Sequence, residues 1–434
     1  MKAFIIAIIL LTGSSVRGQI QFSSLEDVFR YADSHSIAIQ SAHIQEQIFL
    51  SQEREARQAL LPGINGSAGM TNNITLQPTL VPAQLFNPSA PEATYEEFTF
   101  GKKYLYNSGV QVNWDVLNFQ KWFAVRTASA QTGFGKANTD QIRFDTYQAL
   151  AGTYYSILLS EQYREIYQYH LETSRDILSH AEEKYLAGII SIEARNQARI
   201  QLLKAENELR DLETSLQQLY TQFQSQLGVD EDILITEAIT TSGDALTTLN
   251  ATSPHPEVAV QEAQLDLMQA QLKQAKYLLY PSISIGYQYN YTWATDQFLD
   301  FSNVNNLPQQ SLGVKLNIPI FNGGASKGKI ARAGLSVIQQ EHLLENTIQA
   351  TRREDEMLQR QYIRALAALQ EKQEILDLQM ENDQHSENKY QSGLISLDER
   401  LDKYQDLLTV QNQYLQSLSD YYVNYYQLYI RQIQ

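Results

Sequence analysis

The chain has 434 residues and no cysteine. Disulfides, thiolate metal sites and cysteine nucleophiles are therefore excluded. Positive charge is scarce: 33 Lys and Arg stand against 49 Asp and Glu, a formal net charge of -16. A nucleic-acid binder needs a basic footprint, so no nucleic-acid partner is expected. The seven histidines (35, 43, 170, 180, 255, 342 and 385) show no metal-ligand spacing, and the five methionines do not cluster. No metal or other cofactor is expected. No nucleophile elbow or acid-base constellation stands out, so the chain does not read as an enzyme. Beyond the N-terminus no apolar run approaches the ~20 residues that a membrane helix needs.

What is present begins with MKAFIIAIILLTGSSVRGQ. Lys2 is a basic start, Ala3 to Leu11 an apolar run too short to span a bilayer, and Gly18 a small residue before a cut. Residues 1–18 read as a secretory signal peptide. Its removal takes away Lys2 and Arg17 and leaves the mature chain more acidic. No lipobox cysteine follows, so lipidation is not expected. Tyrosine is abundant, 26 against 15 phenylalanines.

The strongest signal is a repeat. The stretch 182-EEKYLAGIISIEARNQARIQ-201 returns as 387-ENKYQSGLISLDERLDKYQ-405. Around it a whole order of elements recurs, displaced by about 204 to 219 residues. Each half reads as helix, strand, loop, strand, very long helix, tight turn, helix. Leu61-Pro62 answers Tyr280-Pro281, Gly109-Val110 answers Gly313-Val314, and Gly188 answers Gly393. The first repeat covers 19–228, with a helix from Ser23 to about Leu60 and strands at about 62–75 and 104–119. Residues 76–103, with four prolines, read as a loop. An acidic, Thr/Ser-rich connector covers 229–254. The second repeat covers 255–434, with strands at about 281–293 and 310–321.

The strands alternate with a period of two. Val110, Val112, Trp114 and Val116 fall on one face; Gln111, Asn113 and Asp115 fall on the other. Likewise Ile283, Ile285, Tyr287, Tyr289, Tyr291 and Trp293 share a face, as do Leu312, Val314, Leu316, Ile318 and Ile320. Strands of this length cross a bilayer when tilted, and the run of aromatics suits an interfacial girdle. Four strands cannot close a barrel, and an open sheet edge in lipid is forbidden, so membrane strands here demand an oligomer. The competing reading is a pair of soluble hairpins.

From about Lys121 to Leu186 and from about Ala325 to Lys389 the texture is helical, roughly 100 Å each if continuous. Leu209, Leu212, Leu216, Leu219 and Phe223 form a coiled-coil seam. A ring of such helices makes a hollow tube with seams at its sides. A solid bundle in a secreted or surface coiled-coil structural or adhesive protein is the alternative. The stretch 323-GGASKGK-329 matches a phosphate-loop spacing, but Ile330 follows where Ser or Thr is needed. Its glycines read as a strand-to-helix turn.

These features together resemble the TolC-type outer-membrane efflux protein family across the whole mature chain. The resemblance rests on the duplication, on 313-GVKLNIPIFNGG-324, on 389-KYQSGLISLDERLD-402 and its partner at 184, and on the Leu61-Pro62 and Tyr280-Pro281 exits. The first half departs from the pattern at 116-VLNFQKW-122, which lacks the Pro and paired glycines. The resemblance implies an α+β membrane protein: a duplicated long-helix coiled coil, or α-barrel, with four β-strands per chain in a trimeric 12-stranded outer-membrane β-barrel. It implies a passive exit duct in the outer membrane of a Gram-negative bacterium, extending into the periplasm. Partners would be two further copies, outer-membrane lipid, a periplasmic adaptor, and an inner-membrane pump or ABC transporter. Val112, Trp114, Tyr287, Tyr289, Tyr291, Trp293, Val314 and Leu316 would face lipid. Gly188, Ile189 and Ile190, with Gly393, Leu394 and Ile395, would form the adaptor-contacting tip. Glu399 and Asp402 align with the acidic residues that ring the aperture, and Glu193 is the nearest acid in the first turn. Lys389, Arg400 and Lys403 are candidates for ion pairs that hold the aperture closed. Ser396 with Glu399 also fits a capping box.

Overall fold

A computed structural model of the chain describes residues 19–237, 239, 254–302 and 305–433. The signal segment 1–18 and most of the connector lie outside the described residues. In chain order the elements are β1 (Ile20–Phe22), α1 (Leu25–His35), α2 (Ile37–Gln58), β2 (Gly63–Asn72), β3 (Pro78–Pro82), β4 (Tyr95–Thr99), β5 (Tyr104–Asn118), α3 (Phe119–Leu186), α4 (Ile192–Leu227), β6 (Ile233–Ile235), α5 (Pro256–Lys276), β7 (Ser282–Thr295), β8 (Asn305–Asn317), α6 (Ala325–Gln391) and α7 (Leu397–Ile433). The described residues divide into two compact units, one made of Gln47–Phe134 with Ala263–His342, the other of the remaining segments.

The larger unit is helical. Its core joins Leu25, Val28, Phe29 and Ala32 of α1 to Phe144–Leu159 of α3, Phe223 and Leu227 of α4, and Leu415–Ile430 of α7. The helix expected from Ser23 to Leu60 is two helices. Ser24 caps α1 by accepting from the Asp27 N–H at 3.3 Å. Ser36 then leaves the helical conformation (φ -59°, ψ 123°) and is buried. The end of α4 packs beside this break: Gly228 closes α4 in the left-handed region, φ 72°. A Cβ on Gly228 would touch Ile37 and the His35 carbonyl at 3.4–3.6 Å, so the two segments are in contact there. Three carboxylates hold this end. Asp33 accepts from the Tyr147 hydroxyl at 2.8 Å, Glu237 from Tyr154, and Glu26 from Tyr429. β1 pairs in parallel with β6, Ile20 opposite Ile233. The 68-residue α3 passes unbroken through Gly133, Gly135 and Gly152. Gly152 makes room for Tyr426, whose hydroxyl would lie 3.1 Å from an added Cβ.

The other unit carries a four-stranded sheet in the order β2-β5-β7-β8, antiparallel throughout. Both repeats therefore contribute to one sheet, joined by the β5–β7 ladder. β8 is displaced from the expected 310–321. It starts at Asn305 and tolerates Pro308 because it is an edge strand. It stops before Pro319, which has no N–H to donate. Residues 76–103, expected as a loop, contain the β3–β4 hairpin, with Pro78 opposite Thr99 and Pro82 opposite Tyr95. The prolines sit at the ends of a two-stranded ribbon, where a missing donor is tolerated.

Paired residues of an antiparallel ladder share a face, so the register sorts the side chains. The rows Ile64–Val112–Tyr287–Leu312 and Trp114–Ile285–Val314 lie on one face. The rows Asn65–Gln111–Gln288–Ser311 and Ser67–Gly109–Asn290–Gln309 lie on the other. A bulge sharpens the sorting. Val116 is the extra residue between Asp115 and Leu117, and Leu117 takes the apolar position opposite Ile283. Strict alternation assigns that position to Val116 instead, and the bulge overrides it.

Gly109 is the tightest point of the sheet. An added Cβ would stand 2.3 Å from Asn290 Oδ1 and 2.8 Å from the Tyr289 carbonyl oxygen. Gly109→Ala is expected to cost about 1–3 kcal/mol through overpacking. Adding Asn290→Gly should recover only part, because the backbone oxygen stays. Urea unfolding followed by tryptophan fluorescence checks both.

Candidate functional site: the paired turns and the apolar sheet face

The two copies of the repeated motif fold alike. Gly188 and Gly393 have φ of 72° and 71°, the left-handed region that a helix end requires. The Gly188 N–H donates to the Tyr185 carbonyl at 2.9 Å and the Ile189 N–H to Lys184 at 2.8 Å. The Gly393 N–H donates to Tyr390 at 3.1 Å and the Leu394 N–H to Lys389 at 2.9 Å. This is the Schellman pattern, twice. Ser191 then caps α4 through the Ala194 N–H (3.3 Å), and Ser396 caps α7 through the Glu399 N–H (3.1 Å). The apolar pair after each glycine also divides alike. Ile189 and Leu394 are 70% and 75% exposed, while Ile190 and Ile395 pack on the core.

The acidic candidates separate. Glu193 lies in the first turn of α4, where its own N–H and the Ser191 hydroxyl hold its carboxyl below the usual carboxylate range. Glu399 gives its N–H to the cap. Its side chain lines a groove of about 590 Å³ with Lys389 and His385 of α6 and Lys403 and Asp406 of α7. Asp402 is exposed on the next turn. Among the described residues neither Glu399 nor Asp402 makes an ion pair.

Arg400 is placed otherwise than expected. It is 1% exposed and makes its ion pairs within the chain. Its Nη1 and Nη2 donate to Asp383 at 2.6 and 3.2 Å, its Nε to Glu387 at 2.7 Å, and Tyr404 lies 5.3 Å from the guanidinium. The spacing of Asp383 and Glu387, four apart on α6, carries the signal. What the sequence does not show is that α7 buries its arginine against them. Lys403 pairs on the surface with Asp406 at 3.6 Å. A layer further along, buried His170 on α3 bonds Gln411 Oε1 at 2.5 Å, and Tyr404 donates to the His170 carbonyl at 3.4 Å. Burial pushes the His170 imidazole below its ordinary value, against the opposing pull of the Gln411 bond. At the start of α6, Gly323 and Gly324 are left-handed and Asn322 caps the helix by accepting from the Ser326 N–H at 3.3 Å. The glycines make the strand-to-helix turn there.

In the sheet, Val112, Trp114, Tyr287, Tyr289, Tyr291, Trp293, Val314 and Leu316 all share the apolar face. Leu312 and Val314 are 73% and 70% exposed. The indole of Trp114 donates to the Leu60 carbonyl at 3.0 Å, at the helix end of the sheet. Among the described residues no helix is long and apolar enough to cross a membrane.

The family described as outer membrane efflux protein matches residues 30–229 and 250–430, most of the chain. The chain belongs to that family and is an outer-membrane efflux channel protein, not an enzyme. No curated protein matches it in sequence. Among solved structures, a membrane protein from Pseudomonas aeruginosa is similar at 15% identity and a TM-score of 0.76, covering 95% of this chain and 91% of that one. The outer membrane protein VceC of Vibrio cholerae gives 16%, 0.75, 93% and 94%. CusC, described with transmembrane channel formation, gives 17%, 0.70, 94% and 91%. These likenesses establish the fold, that of the TolC-type channels.

Arg400→Ala is expected to destabilise the helical unit by about 3–5 kcal/mol, since it leaves two carboxylates facing each other beside a buried void. Chemical denaturation followed by circular dichroism measures it. His170 sets a pH dependence. Its folded pKa is depressed, so below about 6.5 the unfolded chain takes up a proton that the folded chain refuses. Stability is therefore expected to fall as pH drops below that value, and His170→Gln should flatten the fall in a melting-temperature series.

Proposed function

We propose that the chain is one third of a trimeric exit duct, docked through a periplasmic adaptor to an inner-membrane pump or ABC transporter. One observation carries the reading: a sheet with an exposed apolar face and two unpaired edges, β2 and β8. In hydrocarbon such edges leave backbone donors and acceptors unsatisfied. With four alternating strands, the β8 edge of one copy runs antiparallel to the β2 edge of the next. Three copies then close a ring of twelve strands, apolar outside and amide-lined within. Energy comes from the pump; this chain supplies a path.

At the turns, the exposed Ile189 and Leu394 offer matching apolar contacts for the adaptor. Glu399 and Asp402 of three copies would set six carboxylates near one constriction, an arrangement that attracts cations and repels anions. Glu193 is held in its cap and contributes less.

Tyr289→Asp and Val314→Asp each place a charge on the lipid face, at a depth-dependent cost below the ~2–4 kcal/mol that Arg or Lys incurs at the midplane. Both are expected to abolish the heat-resistant oligomer in the outer-membrane fraction; a normal oligomer would refute the assignment of that face. Glu399→Gln with Asp402→Asn is expected to weaken cation selectivity and divalent-cation block in single-channel recordings. Unchanged conductance and block would remove both residues from the gate.

A further inference from the structure

One groove in the sheet-bearing unit has a charge pattern unlike the rest of the chain. It holds about 360 Å³ between the start of α3, the end of α5 and the start of α6. Lys329, Arg332 and Ser336 of α6 line it, with Gln120 of α3 and Gln271 and Gln274 of α5. At about 100° per residue, the three α6 residues share one face of their helix, and the two α5 glutamines share one face of theirs. The Thr127 hydroxyl donates to Gln274 Oε1 at 2.9 Å, which leaves the Gln274 amide nitrogen as the donor on the groove wall.

Carboxylates are missing from this lining, in a chain whose net charge is -16. Other grooves among the described residues that hold cations hold acids too. Lys389 and Lys403 lie with Glu399 and Asp406, Arg352 and Arg431 with Asp355 and Glu356, and Arg30 and Arg143 with Glu26 and Asp33. Residues 116–134, 267–280 and 318–340, which supply the whole lining, contain no Asp or Glu. The next acids along α5 and α6, Asp266 and Glu341, fall more than about 120° around their helices from the groove face. Lys329 and Arg332 make no ion pair with a described residue. Like charges three apart on one helix repel, and α6 has no acid in its first turn to offset them. An anion from outside the chain would relieve that repulsion.

We propose that this groove binds a small dissolved oxyanion, a phosphate or a carboxylate, through Lys329 and Arg332 with the glutamine amides as further donors. Ionised oxygens accept hydrogen bonds; the planar fork of Arg332 matches two of them, and Lys329 adds a point charge. A fork with several amides suits an ion of several oxygens better than chloride, which has one centre. The site is the side of α6 and not the glycine turn before it, since Gly323 and Gly324 lie outside the lining. A merely solvated surface mixes both signs, as α4 does with Lys204, Glu206, Arg210 and Asp211. The site needs only the fold of one chain, so it stands apart from the trimeric duct proposed above.

The full chain is held in micelles of a neutral detergent, which supply no lipid phosphate. It is titrated by calorimetry with inorganic phosphate and with citrate at constant ionic strength, chloride making up the balance. Saturable binding of at least one of the two is expected. Lys329→Gln with Arg332→Gln should weaken it about tenfold or more, the change that follows loss of a charge-assisted hydrogen bond. Gln274→Leu keeps both charges and should weaken binding by a smaller factor. Lys204→Gln with Arg210→Gln on α4 should leave it unchanged, and circular dichroism checks that each variant is folded. No saturable binding, or full displacement by chloride at the same ionic strength, would mark a diffuse counter-ion cloud and overturn the inference. So would an unchanged affinity in the α6 variant or in Gln274→Leu, or an equal loss in the α4 and α6 variants.

Discussion

The unpaired backbone at the two edges of one four-stranded sheet is the constraint on which the rest depends. In water such edges are a nuisance; in hydrocarbon they are forbidden. Everything in the sheet serves to deliver those edges with a clean apolar face between them. The β5–β7 ladder joins the two repeats in one register. The bulge at Val116 returns Leu117 to the apolar side. Gly109 admits Asn290 where any side chain would push the strands apart.

The helices obey a different rule. They are long and thin, so little apolar surface can be buried per turn, and polar groups must do part of the holding. Arg400 with Asp383 and Glu387, Arg431 with Asp355, and the Tyr147–Asp33 and Tyr429–Glu26 contacts tie helices that apolar seams alone align weakly. Buried pairs of this kind add less to stability than to registry, because removing charge from water offsets their attraction. Registry is what a duct wall needs, since a helix slipped by one turn would misplace Gly393 and everything after it.

Much of this was legible in the sequence because it is periodic or local. The duplication, the alternating strands, the glycine turns and the serine caps depend on residues within a few positions of one another. What was not legible depends on partners far along the chain. The break at Ser36 packs beside Gly228, nearly two hundred residues on. The β3–β4 hairpin was masked by its prolines. Arg400 read as a candidate for an ion pair at the aperture, yet α7 buries it against α6.

The sequence by itself determined the duplication, the four strands of the main sheet, the family and the two turns, because hydrophobic period and left-handed glycine are written residue by residue. Only the tertiary structure decided which strands pair, which face each side chain takes, and which charges meet. A single register shift would exchange the two faces of the sheet, and register is a property of two strands together.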